Sequence, residues 1–193
     1  MNYLAHLYLA KPDADSLTGN LLGDFCRGVD TLQYSTKVRA GLENHRLVDR
    51  FTDHHPNVRA AKQRFSRTRR RFAGIALDVL FDYFLIQHWD RFADEPFEAF
   101  CARAYQRLAS RLPIMPPRMQ QVVGSMIQSH WLAHYQSLDG VAHALDRIAG
   151  RIRFSNQFAG SIVEIRANLG EFEHCFEQFF PALVTHVDRH GPE

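Results

Sequence analysis

Residues 162–183 read IVEIRANLGEFEHCFEQFFPAL, and within them Ile162, Ile165, Leu169, Phe172, Phe176, Phe179 and Leu183 recur at steps of three and four. That spacing lines one face of an α-helix, because 3.6 residues complete a turn. Pro181 is expected to kink this helix or split off its end, since proline offers no N–H to the ladder. The same period extends through the chain. Leu4, Leu7 and Tyr8 form a short apolar face, and Leu17, Leu21, Leu22 and Phe25 form a second, ended by Gly28. A long helix is predicted over Thr36–His54, closed by Pro56, followed by a basic helix or turn over Val58–Arg71. A strongly apolar helix follows over Phe72–Trp89, and another begins near Pro96. The stretch LPIMPP is read as a loop, with further helices over Arg118–Tyr135 and Asp139–Ile152.

No alternating strand pattern and no internal repeat interrupts this reading. The expectation is one all-α domain over residues 1–193, a bundle of about seven to nine helices at ordinary helix and loop lengths. A chain of 193 residues with 46% hydrophobic and 23% charged residues suits a single core, and its 15 Phe supply bulk for it.

Composition also limits function. The formal charge is +2, so global charge predicts no nucleic-acid partner. No apolar run is long enough to span a bilayer, and the N-terminal MNYLAHLYLA lacks the basic start of a secretory signal. Cys26, Cys101 and Cys175 have no CxxC spacing, so a disulfide framework or zinc knuckle is not expected. Buried thiols in a reducing, cytoplasmic compartment are the simpler reading. GxSxG and Walker A patterns are absent.

The chemistry is sought in polar residues set four apart inside apolar helices. Asn2/His6, Asn20/Asp24, His45/Asp49 and Asp78/Asp82 are four such pairs. Residues i and i+4 share a helical face. Asp78 and Asp82 are flanked by Leu77, Val79, Leu80, Phe81, Tyr83 and Phe84, and two carboxylates on so apolar a helix need a compensating cation. A divalent metal is the simplest one. Each pair also has a plainer explanation. A His–Asp pair at this spacing is commonly a surface hydrogen bond, Asp78 could face water near a helix start at Gly74, and Asn2 and His6 lie where a terminus frays. The coincidence of four pairs favours the metal. His130 and His134 in SHWLAHY also lie four apart, but with no third ligand evident they are read as core-edge or surface residues. His54 and His55 suit the end of a helix, where positive charge complements the dipole.

Charge is the second feature. Arg64, Arg67, Arg69, Arg70 and Arg71 crowd RFSRTRRRF, while Arg27, Arg46 and Arg50 lie beside the proposed ligands. A solvated basic face is the usual outcome of such a run. The functional alternative is a docking surface for an acidic partner or for phosphate.

Four segments carry a family resemblance: MNYLAHLYLA (1–10), SLTGNLLGDFCRG (16–28), HRLVDRFTD (45–53) and LDVLFDYFLIQHW (77–89). In order and over nearly the whole chain they resemble the bacterial acyl carrier protein phosphodiesterases. The resemblance implies removal of 4′-phosphopantetheine from holo acyl carrier protein, which leaves the apo protein with a free serine. It also implies an all-helical fold similar to the HD metal-dependent phosphohydrolases and a divalent cation, Mn2+ first and Mg2+ second. The adjacent His-Asp dyad of HD enzymes has no copy at His45, which is followed by Arg46, and Asp53-His54 is the reverse order. The ligand set is therefore argued from this chain's own residues. His6, Asp24, His45, Asp78 and Asp82 are expected at the metal. Asp24, His45 and Asp49 are expected to be catalytic, with Asp49 a ligand or the group that orients His45. Arg27, Arg46, Arg50, Arg67, Arg69, Arg70 and Arg71 are expected to meet the substrate. An HD-like hydrolase of nucleotides or other small phosphate esters is the competing enzyme, and a helical module binding an acidic partner is the non-enzymatic alternative.

Overall fold

The computed structural model describes residues 1–193 and contains helices and connecting turns, with no strand. Eleven α-helices follow one another: α1 (Tyr3–Tyr8), α2 (Ala14–Leu22), α3 (Thr36–His54), α4 (Pro56–Lys62), α5 (Ala73–Gln87), α6 (Phe97–Ala109), α7 (Pro117–Gln128), α8 (Trp131–His134), α9 (Leu138–Arg151), α10 (Ile162–Ala167) and α11 (Leu169–His190). Local sequence explains several starts. Asp13 accepts from the amides of Asp15 and Ser16 at α2, Ser35 from Val38 at α3, and Ser137 from Gly140 at α9. Pro56 and Pro117 stand at first helical positions, where no N–H is needed.

The all-α expectation holds, with more and shorter helices than foreseen. The segment read as one helix over Arg118–Tyr135 breaks at His130, whose φ of 49° is left-handed and separates α7 from α8. The C-terminal pattern divides at Asn168 into α10 and α11. Pro181, by contrast, does not end its helix. It lies inside α11, which continues to His190.

Aromatic packing joins α5 to α11. Phe81 lies 5.8 Å from Phe176 and 5.4 Å from Phe179, ring centre to ring centre, and Phe84 lies 5.8 Å from Phe176. All four are fully buried, and burial of each such side chain stabilises the fold by about 1.5–3 kcal/mol. Against this core α2 and α3 approach to backbone contact. A Cβ at Gly19 would lie 2.1 Å from the carbonyl oxygen of Val38, so glycine permits the approach. No helix is long and apolar enough to cross a membrane. The three cysteines are free, with Cys101 and Cys175 buried.

One contact seats the N-terminal helix on this framework. The fully buried Asp82 carboxylate accepts hydrogen bonds from the amides of Leu4 (3.0 Å) and Ala5 (2.9 Å) and from Asn2 Nδ2 (2.8 Å). The first N–H groups of a helix have no partner within it, and α1 takes its partner from α5. Asp82, expected at the metal, is thereby engaged as the cap of α1. Asn2 serves the same contact and does not pair with His6.

Candidate active site

Four elements bring their polar residues to one recess beside that cap. α1 carries His6, α3 carries His45 and Asp49, the turn Gly23–Phe25 carries Asp24, and α5 carries Asp78. His6 and His45 are buried, and their rings stack with centroids 3.9 Å apart and planes at 15°. The Nε2 atoms of both rings face one carboxylate. His6 Nε2 lies 3.3 Å from Asp49 Oδ1 and His45 Nε2 lies 3.1 Å from Asp49 Oδ2. One ligand atom from each of His6, His45 and Asp49 falls within a sphere of contacts no wider than 4.8 Å, the spacing a single metal ion requires.

The hydrogen bonds fix the tautomer of His45. Its Nδ1 lies 2.7 Å from the Asn20 carbonyl oxygen, which only accepts, so Nδ1 carries a proton. Nε2 therefore meets Asp49 with either a second proton or a lone pair. Burial disfavours the imidazolium, but the hydrogen bond and charge of Asp49 outweigh it and raise the His45 pKa. Burial alone would raise the Asp49 carboxyl as well. The imidazoles of His45 and His6 and the nearby amino group instead hold it well below the usual carboxylate range. His6 differs: burial pushes it down to about 3, and neither of its ring nitrogens completes a hydrogen bond. A fully buried imidazole with two unsatisfied nitrogens beside an ionised carboxylate is a donor set that fits a divalent cation.

Positive charge already collects at this point. The buried amino group of Met1 lies 2.9 Å from Asp49 Oδ1 and 3.3 Å from Asp78 Oδ1. Burial works against its charge, but Asp78 and Asp49 raise its pKa to about 10. The Asp49 and Asp78 side chains keep 40% and 34% of their surface open, so the carboxylates line a recess that solvent reaches. Asp24 also keeps exposed surface in this crowded, concave surrounding. Burial raises its carboxyl pKa, against the lowering by His45 and with the added repulsion of Asp49 and Asp78.

Two parts of the site escaped the sequence reading. Gly23 is one: a Cβ there would lie 2.1 Å from His45 Cδ2, so only glycine lets the ring lie against this turn. The other is the buried amide network behind His45. Asn44 Nδ2 donates to Asn20 Oδ1 (3.0 Å) and to the Leu9 carbonyl (3.1 Å), which ties α3 to α2 and to the end of α1. The pairing of Asn20 with Asp24 is not formed. Asn20 Nδ2 donates to the Ser16 carbonyl, and its own carbonyl holds His45. The pattern Gly-Asn-Leu-Leu-Gly-Asp was visible in sequence, but nothing in it pointed to a histidine on another helix.

The arginines divide. Arg69 is built into the fold, donating to Glu164 and to the carbonyls of Gln157 and Ala159. Arg64 pairs with Glu171, and Arg70 donates to the carbonyls of Gln63 and Phe65. Arg71 lies over the rings of Phe72 and Phe154 at 4.9 and 4.5 Å. Arg67 is exposed, as are Arg27 and Arg50, while Arg46, also exposed, pairs with Glu43. The docking role foreseen for Arg69 conflicts with these internal bonds, which hold the basic segment against α10. His130 and His134, read as core-edge or surface residues, are exposed.

The family model described as "Acyl carrier protein phosphodiesterase" matches residues 1–183. An acyl carrier protein phosphodiesterase of Serratia proteamaculans is 40% identical over 187 residues, 95% of this chain and 96% of that protein. Those of Salmonella dublin and Salmonella agona are each 36% identical over 190 residues, 98% of either chain. No solved structure matches.

Proposed function

The chain belongs to the acyl carrier protein phosphodiesterase family, and from that premise we propose that it hydrolyses holo acyl carrier protein to the apo protein and 4′-phosphopantetheine. The observation that carries the reading is the pair of stacked imidazoles with both Nε2 atoms on one carboxylate. That arrangement suits phosphodiester hydrolysis, which needs concentrated positive charge on a phosphoryl oxygen and an activated water.

His6, His45 and Asp49 would hold a divalent cation, Mn2+ by first expectation or Mg2+, with Asp24 and Asp78 beside it; once bound, it supplies Lewis acidity toward the phosphate and toward water. The protein's own groups do the rest. Asn20 and Asn44 keep the His45 ring in place. Asp24, at the open side of the recess, accepts the proton of the attacking water. The P–O bond to the serine breaks as the new P–O bond forms, and the serine oxygen takes up a proton from solvent, to which Asp24 returns the one it accepted. Arg46 and Arg50, one and five residues beyond His45 on exposed positions of α3, offset the phosphate charge. Arg27, Arg67, Arg70 and Arg71 complete a basic approach for an acidic carrier protein. A cytoplasmic location belongs to the same proposal.

The test places holo acyl carrier protein and a panel of nucleotides in parallel reactions, with and without a chelator. Release of 4′-phosphopantetheine that the chelator abolishes supports the proposal. Nucleotide hydrolysis with intact carrier protein would replace it with a small-ester phosphohydrolase. Binding without hydrolysis of either would make the chain a module for an acidic partner.

A further inference from the structure

A cleft opens beside the start of α1. A space of about 120 Å3, open to solvent, lies between the first residues of α1 and the helices α8 and α9. Its floor is Asn2 and Tyr3, and its walls include Trp131 and Tyr135. The α9 wall presents His143, Arg147 and Arg151, spaced four residues apart and so aligned on one face. No carboxylate lines it. The space is small and open, so a ligand would lie along it with part of its length in solvent, and the charge selects an anion.

The composition narrows the ligand further. Arg147 lies 5.2 Å from the Trp131 ring centre, which leaves its guanidinium edge to meet carbonyl or phosphate oxygens. Trp131, Tyr135 and Tyr3 offer flat apolar surface with polar edges, suited to a chain that alternates methylenes with amides. The start of the chain links the cleft to the catalytic recess. Asn2 and Tyr3 directly follow Met1, whose amino group contacts Asp49 and Asp78. Burial raises the Tyr3 pKa and Asp24 adds to it, while Arg151 and Arg118 oppose, so this residue of the cleft feels charge from both the recess and α9.

We propose that this cleft seats the phosphopantetheine arm of the substrate, with its phosphate end toward Arg151 and the recess and its amide chain along Trp131 and Tyr135 under Arg147. The proposal rests on the functional reading above. It makes Arg147, Arg151 and Trp131 specificity residues that act on the arm and not on the carrier protein's surface.

Trp131 reports occupancy by its own fluorescence, and the other tryptophan, Trp89, is buried elsewhere in the core. Titration with free 4′-phosphopantetheine should change this signal, and Trp131→Phe should remove the change. An Arg147→Ala, Arg151→Ala double variant should need about tenfold more ligand and show about a tenfold higher KM for holo carrier protein, with kcat altered much less. Lysine at both positions should restore part of the loss. Both arginines are exposed, so the double variant should keep its far-UV circular dichroism. Unchanged arm affinity and unchanged KM would overturn the proposal. So would a loss confined to apo carrier protein, because the arginines would then be a protein-docking surface. If the wild type leaves holo carrier protein uncleaved yet binds the free arm through these arginines, the cleft stands and the functional reading falls.

Discussion

The imidazole rings of His6 and His45 stack face to face at 3.9 Å, although they come from helices whose sequences lie 39 positions apart. Two imidazolium rings at that distance would repel strongly, so the pair carries at most one proton beyond neutrality. His6 is the neutral member, since burial takes its pKa down to about 3. The stack thus presents nitrogen lone pairs and an ionised carboxylate to one point, which is the electronic requirement of a metal ligand set.

The first prediction follows from that set. Asp49→Ala, His45→Ala and His6→Ala should each lower Mn2+ affinity by more than the roughly 10–100-fold that loss of an outer partner costs. Isothermal titration or the electron paramagnetic resonance of free Mn2+ measures this. An Asp49→Ala protein that binds Mn2+ as the wild type does would remove Asp49 from the ligands.

Gly23→Ala should act on the same site without touching a ligand. Its Cβ would collide with the His45 ring at 2.1 Å, so the ring or the turn must move. The overpacking should cost about 1–3 kcal/mol of stability, and metal affinity should fall while helical content stays. Denaturant unfolding and Mn2+ titration on one sample separate the two effects. Wild-type values in both would mean that the ring is not held against this turn.

Asp82 should behave as a structural residue. Asp82→Ala leaves the buried amides of Leu4 and Ala5 without an acceptor, and about 1–3 kcal/mol of stability should be lost for each unsatisfied group. The pH dependence has a defined sign. Burial pushes the Asp82 carboxyl up to about 7 against the three donors that favour the anion, so the folded state holds the proton more tightly than the unfolded chain. Its contribution is full below the unfolded pKa of about 3.9 and is lost as pH rises through about 7. Asp82→Asn should lack this slope in unfolding experiments between about pH 4 and 8. Identical slopes in the two proteins would contradict the assignment.

The arginine segment should separate by role. Arg69→Ala should destabilise the protein, because it removes the bonds to Glu164 and to two carbonyls. Arg67→Glu combined with Arg27→Glu should instead raise the KM for carrier protein at low salt and leave stability within about 0.5 kcal/mol. Added salt should mimic the double change in the wild type. Thermal melts and salt-dependent kinetics distinguish the two classes. A KM unmoved by charge reversal would place docking elsewhere.

Much of this was legible in sequence, and the rest was lost for physical reasons. The helical period of α3 and α11 survives folding because each buries one long apolar face, while α5 is legible as a run of apolar residues buried nearly all round. The break at His130 did not announce itself, since Ile127, Trp131 and Leu132 keep a helical apolar spacing across it. His6, His45 and Asp49 could be selected because polar residues four apart in apolar surroundings need partners. Asp82 met the same criterion and went elsewhere: an unpaired helix terminus satisfies a buried carboxylate as well as a cation does. Sequence spacing shows that a carboxylate needs compensation. Only the packing of α1 on α5 decides which donor provides it. The cleft between α1, α8 and α9 was illegible for the same reason, since its walls come from opposite halves of the chain.

The central claim is hydrolysis of the arm at the His6, His45 and Asp49 site, and the mass of the carrier protein reads it directly. Holo acyl carrier protein is incubated with Mn2+ and either the wild type or Asp49→Ala, then weighed intact by mass spectrometry. The account predicts that the wild type converts it to the mass of the apo protein, with free 4′-phosphopantetheine in solution, and that Asp49→Ala leaves it unchanged. A carrier protein that keeps its holo mass with the wild type, or loses its arm equally fast to Asp49→Ala, would contradict it.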